Sequence, residues 1–168
     1  MRPAINVGLF FCRDTVPAIM KFLEKACKGW YTGFSGLLKY RRGAVAMYML
    51  TIKTSFAAAH NLVNYQGDCE NLHGHNWKVE VTVTAKTLDK SGLGIDFKVL
   101  KREAGIVINE LDHKYLNDNP AFKELSPSSE NISRYLYEKI SERLNNDNIK
   151  VDSVTVWESD NASARYYE

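Results

Sequence analysis

From Trp77 to Lys86 apolar and polar residues alternate without a break. Trp77, Val79, Val81, Val83 and Ala85 fall on one side, and Lys78, Glu80, Thr82, Thr84 and Lys86 on the other. Successive side chains of a strand point to opposite faces, so this period of two predicts a half-buried strand with one dry and one wet face. Met49 to Ala58, rich in apolar and β-favouring residues, predicts a strand before it, and Val151 to Glu158 predicts a final one. The polar stretch from Asn61 to Leu72 predicts a loop, and Lys90-Ser91-Gly92 a turn.

Two segments carry the helical period instead. Behind Asp96, a capping residue, Phe97, Leu100, Ala104, Val107 or Ile108, and Leu111 recur at steps of three and four. Behind Pro127, with Ser128 or Ser129 as cap, Ile132, Leu136, Ile140 and Leu144 form one stripe. The order strand–strand–helix–helix–strand predicts an antiparallel α+β domain.

Composition narrows this picture. The 168 residues are 45% hydrophobic and 25% charged, the profile of one soluble globular domain. No apolar stretch approaches the roughly 20 residues of a membrane span, so no membrane partner is expected. The three cysteines (Cys12, Cys27, Cys69) are an odd, widely spaced set without a CxxC pair. They point to a reducing, cytoplasmic setting, in which the sequons at Asn131 and Asn161 carry no meaning.

The net charge of +2 conceals a division. Residues 1–46 carry eight Lys/Arg against Asp14 and Glu24, a net +6, and the remainder carries fourteen against eighteen Asp/Glu, a net −4. A nucleic-acid binder places its basic stripe on the folded domain, so nucleic acid is not an expected partner. Pro17 to Lys28 has the spacing of a basic amphipathic helix, and Gly29, Gly33 and Gly36 then interrupt it. The expectation for 1–46 is an N-terminal extension that is poorly ordered or not native. Arg41-Arg42-Gly43 can be encoded by a purine run of the kind that precedes bacterial start codons, and Met47 and Met49 follow, so the domain is expected to span 47–168.

Candidate chemistry concentrates in that domain. His73 and His75 are two apart at the entry to the alternating strand, so both imidazoles face one way, on the dry side continued by Trp77. Gly74 between them leaves room for a close backbone approach. His60, at the end of the preceding strand, can complete a set of three neutral nitrogen ligands, which suits zinc and leaves a fourth position open for catalysis. Cys69, four residues before His73, is a fourth ligand, a packed thiol or a base. Asp112 and His113 sit at the end of the first helix, where adjacent side chains can both turn inward. Glu158, placed inward, would bind a guanidine-like edge through two N–H groups.

These residues also occur in a recognisable order. His60, then Cys69-Glu-Asn-Leu-His73-Gly-His75, Leu111-Asp-His-Lys-Tyr-Leu-Asn117, Pro127-Ser-Ser-Glu-Asn131 and Trp157-Glu158-Ser159 resemble the 6-pyruvoyl-tetrahydropterin synthase / 6-carboxy-tetrahydropterin synthase family. The resemblance runs from Met49 to the C-terminus. It implies a tunnelling fold, an antiparallel sheet with two helices on one face, assembled as two stacked trimers with active sites between subunits. It implies Zn2+ on His60, His73 and His75, Cys69 as proton acceptor with Asp112 and His113 as relay, and Glu158 as anchor of the pterin ring, with Ser128 and Ser129 beside it. The implied substrate is a small molecule, dihydroneopterin triphosphate. Three residues between Cys69 and His73 resemble the enzymes that form 6-carboxy-tetrahydropterin for queuosine synthesis. Glu70 gives Cys-Glu-x-x-His-Gly-His, which resembles a type that also makes 6-hydroxymethyl-dihydropterin for folate.

Overall fold

A computed structural model of the chain describes residues 47–168. The expectations placed on residues 1–46 lie outside the described residues.

β1 (Tyr48–His60) and β2 (His73–Ala85) form an antiparallel pair whose register runs unbroken from Tyr48 opposite Ala85 to His60 opposite His73. α1 (Phe97–Ile108) follows, then a two-residue strand β3 (Lys114–Tyr115), α2 (Ser129–Leu144), β4 (Ile149–Trp157) and β5 (Ser163–Tyr167). The sheet order is β3-β1-β2-β4-β5, antiparallel except where β3 runs parallel beside Ala58 and Ala59. The fold is therefore α+β, as the sequence pattern implies.

One face of the sheet is dry. Ile52 and Phe56 of β1, Trp77, Val79, Val81 and Val83 of β2, and Val154 and Val156 of β4 are buried against Leu100, Ala104, Val107 and Ile108 of α1 and Ile132, Leu136 and Ile140 of α2. The helical stripes follow the spacing with two corrections. One is that α1 ends at Ile108, so Leu111 is buried from the turn after the helix. Phe97 stands at the first position of α1 and is 49% exposed, so the buried stripe starts at Leu100. Asp96 caps α1 by accepting from the Lys98 N–H at 2.7 Å. Ser128 caps α2, accepting from the Asn131 N–H at 3.4 Å.

The last predicted strand also differs from the pattern. β4 starts at Ile149, ends at Trp157, and turns back into β5. Thr82 pairs with Ser153 but Val83 pairs with Val151, so Asp152 is an extra residue, a β-bulge. Before the bulge Ile149 and Val151 face the core, and after it Val154 and Val156 do. The change of parity matters at the strand's end. Glu158 follows Val154 and Val156 onto the dry face, whereas an unbulged strand would turn it to the wet one. Among the described residues no helix is long and apolar enough to cross a membrane.

Candidate metal centre

The β1–β2 register builds the centre. His73 and His75 lie on one face of β2, and His60 stands directly across the ladder from His73. The three ring centroids are 4.5–5.2 Å apart. His60 Nδ1 lies 2.7 Å from the Pro127 carbonyl oxygen, and His73 Nδ1 2.7 Å from that of Asn71. A carbonyl oxygen only accepts, so each Nδ1 carries a proton, and in the neutral ring each Nε2 then presents a lone pair. Those two Nε2 atoms are 3.0 Å apart. Two lone pairs at that distance repel unless a cation lies between them, and nitrogens sharing a tetrahedral zinc stand roughly 3.3 Å apart.

His75 Nε2 is buried and has no hydrogen-bond partner, although Glu158 Oε1 is 3.1 Å away. The donor atoms of His60, His73, His75 and Glu158 all lie within 4.8 Å of one another. An orphaned nitrogen beside two opposed lone pairs and a carboxylate is a donor set that fits a metal ion. Burial is the main cause that lowers the pKa of both His60 and His75. For His60 the Pro127 carbonyl and Glu158 work against it while His73 and His75 add to it; for His75 Glu158 opposes and His73 adds. Neutral imidazoles, the form that ligates, are thereby favoured. Trp77 closes the floor of the centre: it is fully buried, its indole N–H donates to the Ala58 carbonyl at 3.3 Å, and its ring meets those of His60 and His75 edge-on.

Cys69 belongs to a short 3-10 turn, Asp68–Glu70, pinned where the Leu62 N–H donates to the Cys69 carbonyl at 2.9 Å. It lines a cavity of about 260 Å³ together with His60, Ser128, Ser129, Glu130 and Glu158. Ser129 Oγ donates to Glu158 Oε2 at 3.1 Å. Of the two serines, Ser128 serves the helix end and Ser129 serves the carboxylate. Glu70 is exposed, next to the thiol in sequence but outside the lining of that cavity.

Asp112 and His113 are brought together as a pair. Asp112 Oδ1 accepts from the Ala57 N–H at 2.9 Å, and Oδ2 lies 2.9 Å from His113 Nδ1. The Ala57 N–H, then His113, holds the Asp112 carboxyl below the usual carboxylate range. His113 adopts φ +55°, the left-handed region, at the end of the turn that follows α1 and directly before β3. The His113 side chain is 81% exposed and lines a second cavity with Gly74, His75, Asn76 and Lys114. Within one chain the structure thus joins Cys69 to His60 and Glu158, but puts His113 on a different cavity.

One expectation is corrected here. A Cβ on Gly74 would meet the Ala58 carbonyl oxygen at 3.6 Å, an ordinary contact, so no close backbone approach demands a glycine. The orienting carbonyls of Pro127 and Asn71 escape a sequence reading because backbone oxygens leave no residue signature. Glu130 was visible only as part of a longer motif.

The sequence profile described as 6-pyruvoyl tetrahydropterin synthase matches residues 49–168. A 6-carboxy-5,6,7,8-tetrahydropterin synthase of Synechocystis is 36% identical over 126 residues, covering 72% of this chain and 94% of the relative. A dihydroneopterin monophosphate aldolase of Pyrococcus furiosus is 37% identical over 109 residues, covering 63% and 85%. Among solved structures, the 6-pyruvoyl tetrahydropterin synthase of Caenorhabditis elegans superposes with a TM-score of 0.66 at 26% identity, covering 74% of this chain and 97% of that one.

Proposed function

The chain belongs to the 6-pyruvoyl tetrahydropterin synthase family, and we propose that it is a zinc-dependent lyase converting 7,8-dihydroneopterin triphosphate to 6-carboxy-5,6,7,8-tetrahydropterin. The observation that carries this reading is the convergence of the His60, His73 and His75 imidazoles on Glu158, with His75 Nε2 left without a partner, where His60 and Glu158 line the cavity that also holds Cys69. The identity of the Synechocystis relative supports the choice of product. The working unit is residues 47–168, in keeping with the span that the family profile matches.

His60, His73 and His75 are the residues that would hold zinc, which supplies Lewis acidity to substrate oxygens and makes the protons beside them easier to remove. Glu158 receives the N–H groups of the pterin's 2-amino-pyrimidinone edge, and Ser129 orients it through its second oxygen. The hydroxyl of Ser128 lies at the same end of the cavity. Cys69, as thiolate, takes up a proton from the substrate side chain. Asp112 fixes the ring of His113, which relays that proton. The exposure of His113 and its separate cavity support a relay that serves a neighbouring subunit, in an assembly of two stacked trimers. Among the described residues, β1 pairs on its outer side only through Ala58 and Ala59. The remaining edge is a ready surface for such a neighbour.

A second product has its own support. Glu70 follows the thiol directly in sequence and offers a second base of different reach, and the Pyrococcus relative is a dihydroneopterin monophosphate aldolase. Cleavage to 6-hydroxymethyl-7,8-dihydropterin is then the alternative or additional activity. Incubating the metal-loaded full chain with dihydroneopterin triphosphate and identifying the pterin formed decides among the readings. Carboxy-tetrahydropterin supports the first and hydroxymethyl-dihydropterin the second. Bound metal and bound pterin without turnover would overturn both in favour of a binding module.

A further inference from the structure

The loop that carries Cys69 leaves β1 at Asn61 and is exposed from Val63 to Gly67. Within it, the Leu62 N–H donates to the Cys69 carbonyl at 2.9 Å and the Glu70 N–H to the Gly67 carbonyl at 3.0 Å. The residues on either side of Leu62 bond instead to side chains. Asn117 Oδ1 accepts from the Asn61 N–H at 3.1 Å, while its Nδ2 donates to the Asn61 carbonyl at 2.9 Å. Ser126 Oγ accepts from the Val63 N–H at 2.8 Å and donates to the Val63 carbonyl at 3.2 Å. Each side chain exchanges two bonds with one residue, as hydrogen-bonded partners in an antiparallel ladder do. Together they prolong the hold on the chain three residues past the end of β1.

Ser126 also begins a segment whose residues hold other parts of the site. The Pro127 carbonyl oxygen faces His60 Nδ1 at 2.7 Å, and Ser129 Oγ donates to Glu158 at 3.1 Å. Ser126 is itself fixed. Its carbonyl accepts from Asn131 Nδ2 and from the Ser128 N–H, each at 2.8 Å, and the residue before a proline is confined to extended backbone. Asn117 follows the fully buried Leu116. The thiol's loop is therefore referenced to the same short segment that orients a histidine and the carboxylate. Leu62 and Cys69 line the cavity of about 260 Å³, but Asn117 and Ser126 do not, so their effect on the reaction must pass through the loop.

We propose that Asn117 and Ser126 are positioning residues for the Cys69 thiol: by clasping Asn61 and Val63 they fix where the loop leaves β1, and so where the thiol stands. This rests on the reading of Cys69 as the base. A base must lie within hydrogen-bond reach of the proton it removes, and a misplacement of about 1 Å can cost roughly 100-fold in rate. The bond from Leu62 to the Cys69 carbonyl transmits the position, because Leu62 sits between the two clasped residues. The chemistry of each clasp is specific. Asn117→Asp keeps an acceptor for the Asn61 N–H but turns a second oxygen toward the Asn61 carbonyl, where two acceptors repel. Ser126→Thr keeps the hydroxyl, and Ser126→Ala removes it.

The test is steady-state turnover of dihydroneopterin triphosphate by the metal-loaded full chain, with each substitution made in the wild type and again in Cys69→Ala. In the wild-type background, kcat of Ser126→Ala and of Asn117→Asp is expected to fall about 10- to 100-fold, the scale of a displacement of up to about 1 Å. KM and metal content should stay at wild-type values, and Ser126→Thr should restore kcat. In Cys69→Ala the same substitutions should change the residual rate by less than about 2-fold, because residues that act through one group are not additive. A role confined to stability would lower the unfolding midpoint without this dependence on the thiol. Wild-type kcat in either variant would overturn the assignment of that residue, as would a raised KM with kcat retained. An equal loss in both backgrounds would overturn the proposal as a whole. Should Asn117→Asp fail to fold, the half-buried Ser126, with its Ala and Thr variants, decides alone. Wild-type turnover by Cys69→Ala itself would instead overturn the underlying reading of the base.

Discussion

His60 and His73 face each other across the β1–β2 ladder with their Nε2 atoms 3.0 Å apart, and each ring is turned to that position by a backbone carbonyl on its far nitrogen. The pairing register alone determines that these rings meet. A one-residue slip would send one of them to the wet face. The metal site is thus a consequence of how two strands align, secured by Pro127 and Asn71 from segments outside the sheet.

Replacing His60 with Ala removes the most buried of the donors. Metal affinity is expected to fall on the order of 100-fold or more, beyond the range typical of outer-shell changes. Competition with a chromogenic chelator measures this, and unaltered affinity would exclude His60 as a ligand.

Cys69→Ala tests the base. Its thiol shares the cavity of His60 and Glu158 but is outside the set of converging donor atoms. Carboxy-tetrahydropterin formation is expected to drop by about 10²–10⁴-fold, the usual contribution of a positioned base. Metal content by elemental analysis should remain that of the wild type.

Glu70→Ala tests the second product. Glu70 is exposed and one residue from the thiol. Selective loss of hydroxymethyl-dihydropterin, with the carboxy product retained, is the expected result in a product assay. Equal loss of both products would contradict a separate role.

The two serines should separate. Ser128 caps α2, so Ser128→Ala is expected to cost about 1 kcal/mol of stability with little change in KM. Ser129 holds Glu158, so Ser129→Ala should raise KM while leaving the unfolding midpoint nearly unchanged. Denaturant unfolding and steady-state kinetics on both variants check this.

Burial lowers the pKa of His60 and His75 in the metal-free fold. The unfolded chain takes up protons at both near the ordinary value of 6.5, while the native one resists. The stability of chelated protein should therefore be full above that value. It should fall as pH drops through the lowered native values, because the unfolded state binds more protons there. Denaturant midpoints between about pH 8 and about pH 5 test the sign, and His60→Gln should flatten the slope.

Much of this was legible in the sequence for a physical reason. The alternation from Trp77 to Ala85 and the stripe from Ile132 to Leu144 are periodic because one face of each element is buried. His73 and His75 inherit their common direction from the same alternation. What was not legible depends on contacts distant in sequence. The bulge at Asp152 that turns Glu158 inward is a property of pairing with β2, not of β4 alone. Phe97 fits the helical spacing but stands at the first turn, beyond the reach of the core. The separation of His113 from Cys69 arises because Asp112 and His113 are bound to Ala57 on the outer side of β1, while Cys69 is tied to Leu62 beyond its end. No local pattern records that division.

The most direct measurement of the proposed reaction is the amount of acetaldehyde released per triphosphate when metal-loaded protein turns over dihydroneopterin triphosphate. One acetaldehyde for each triphosphate, together with an equal amount of 6-carboxy-tetrahydropterin, is the expected result. Triphosphate release without acetaldehyde, or no release from protein with metal bound, would contradict it.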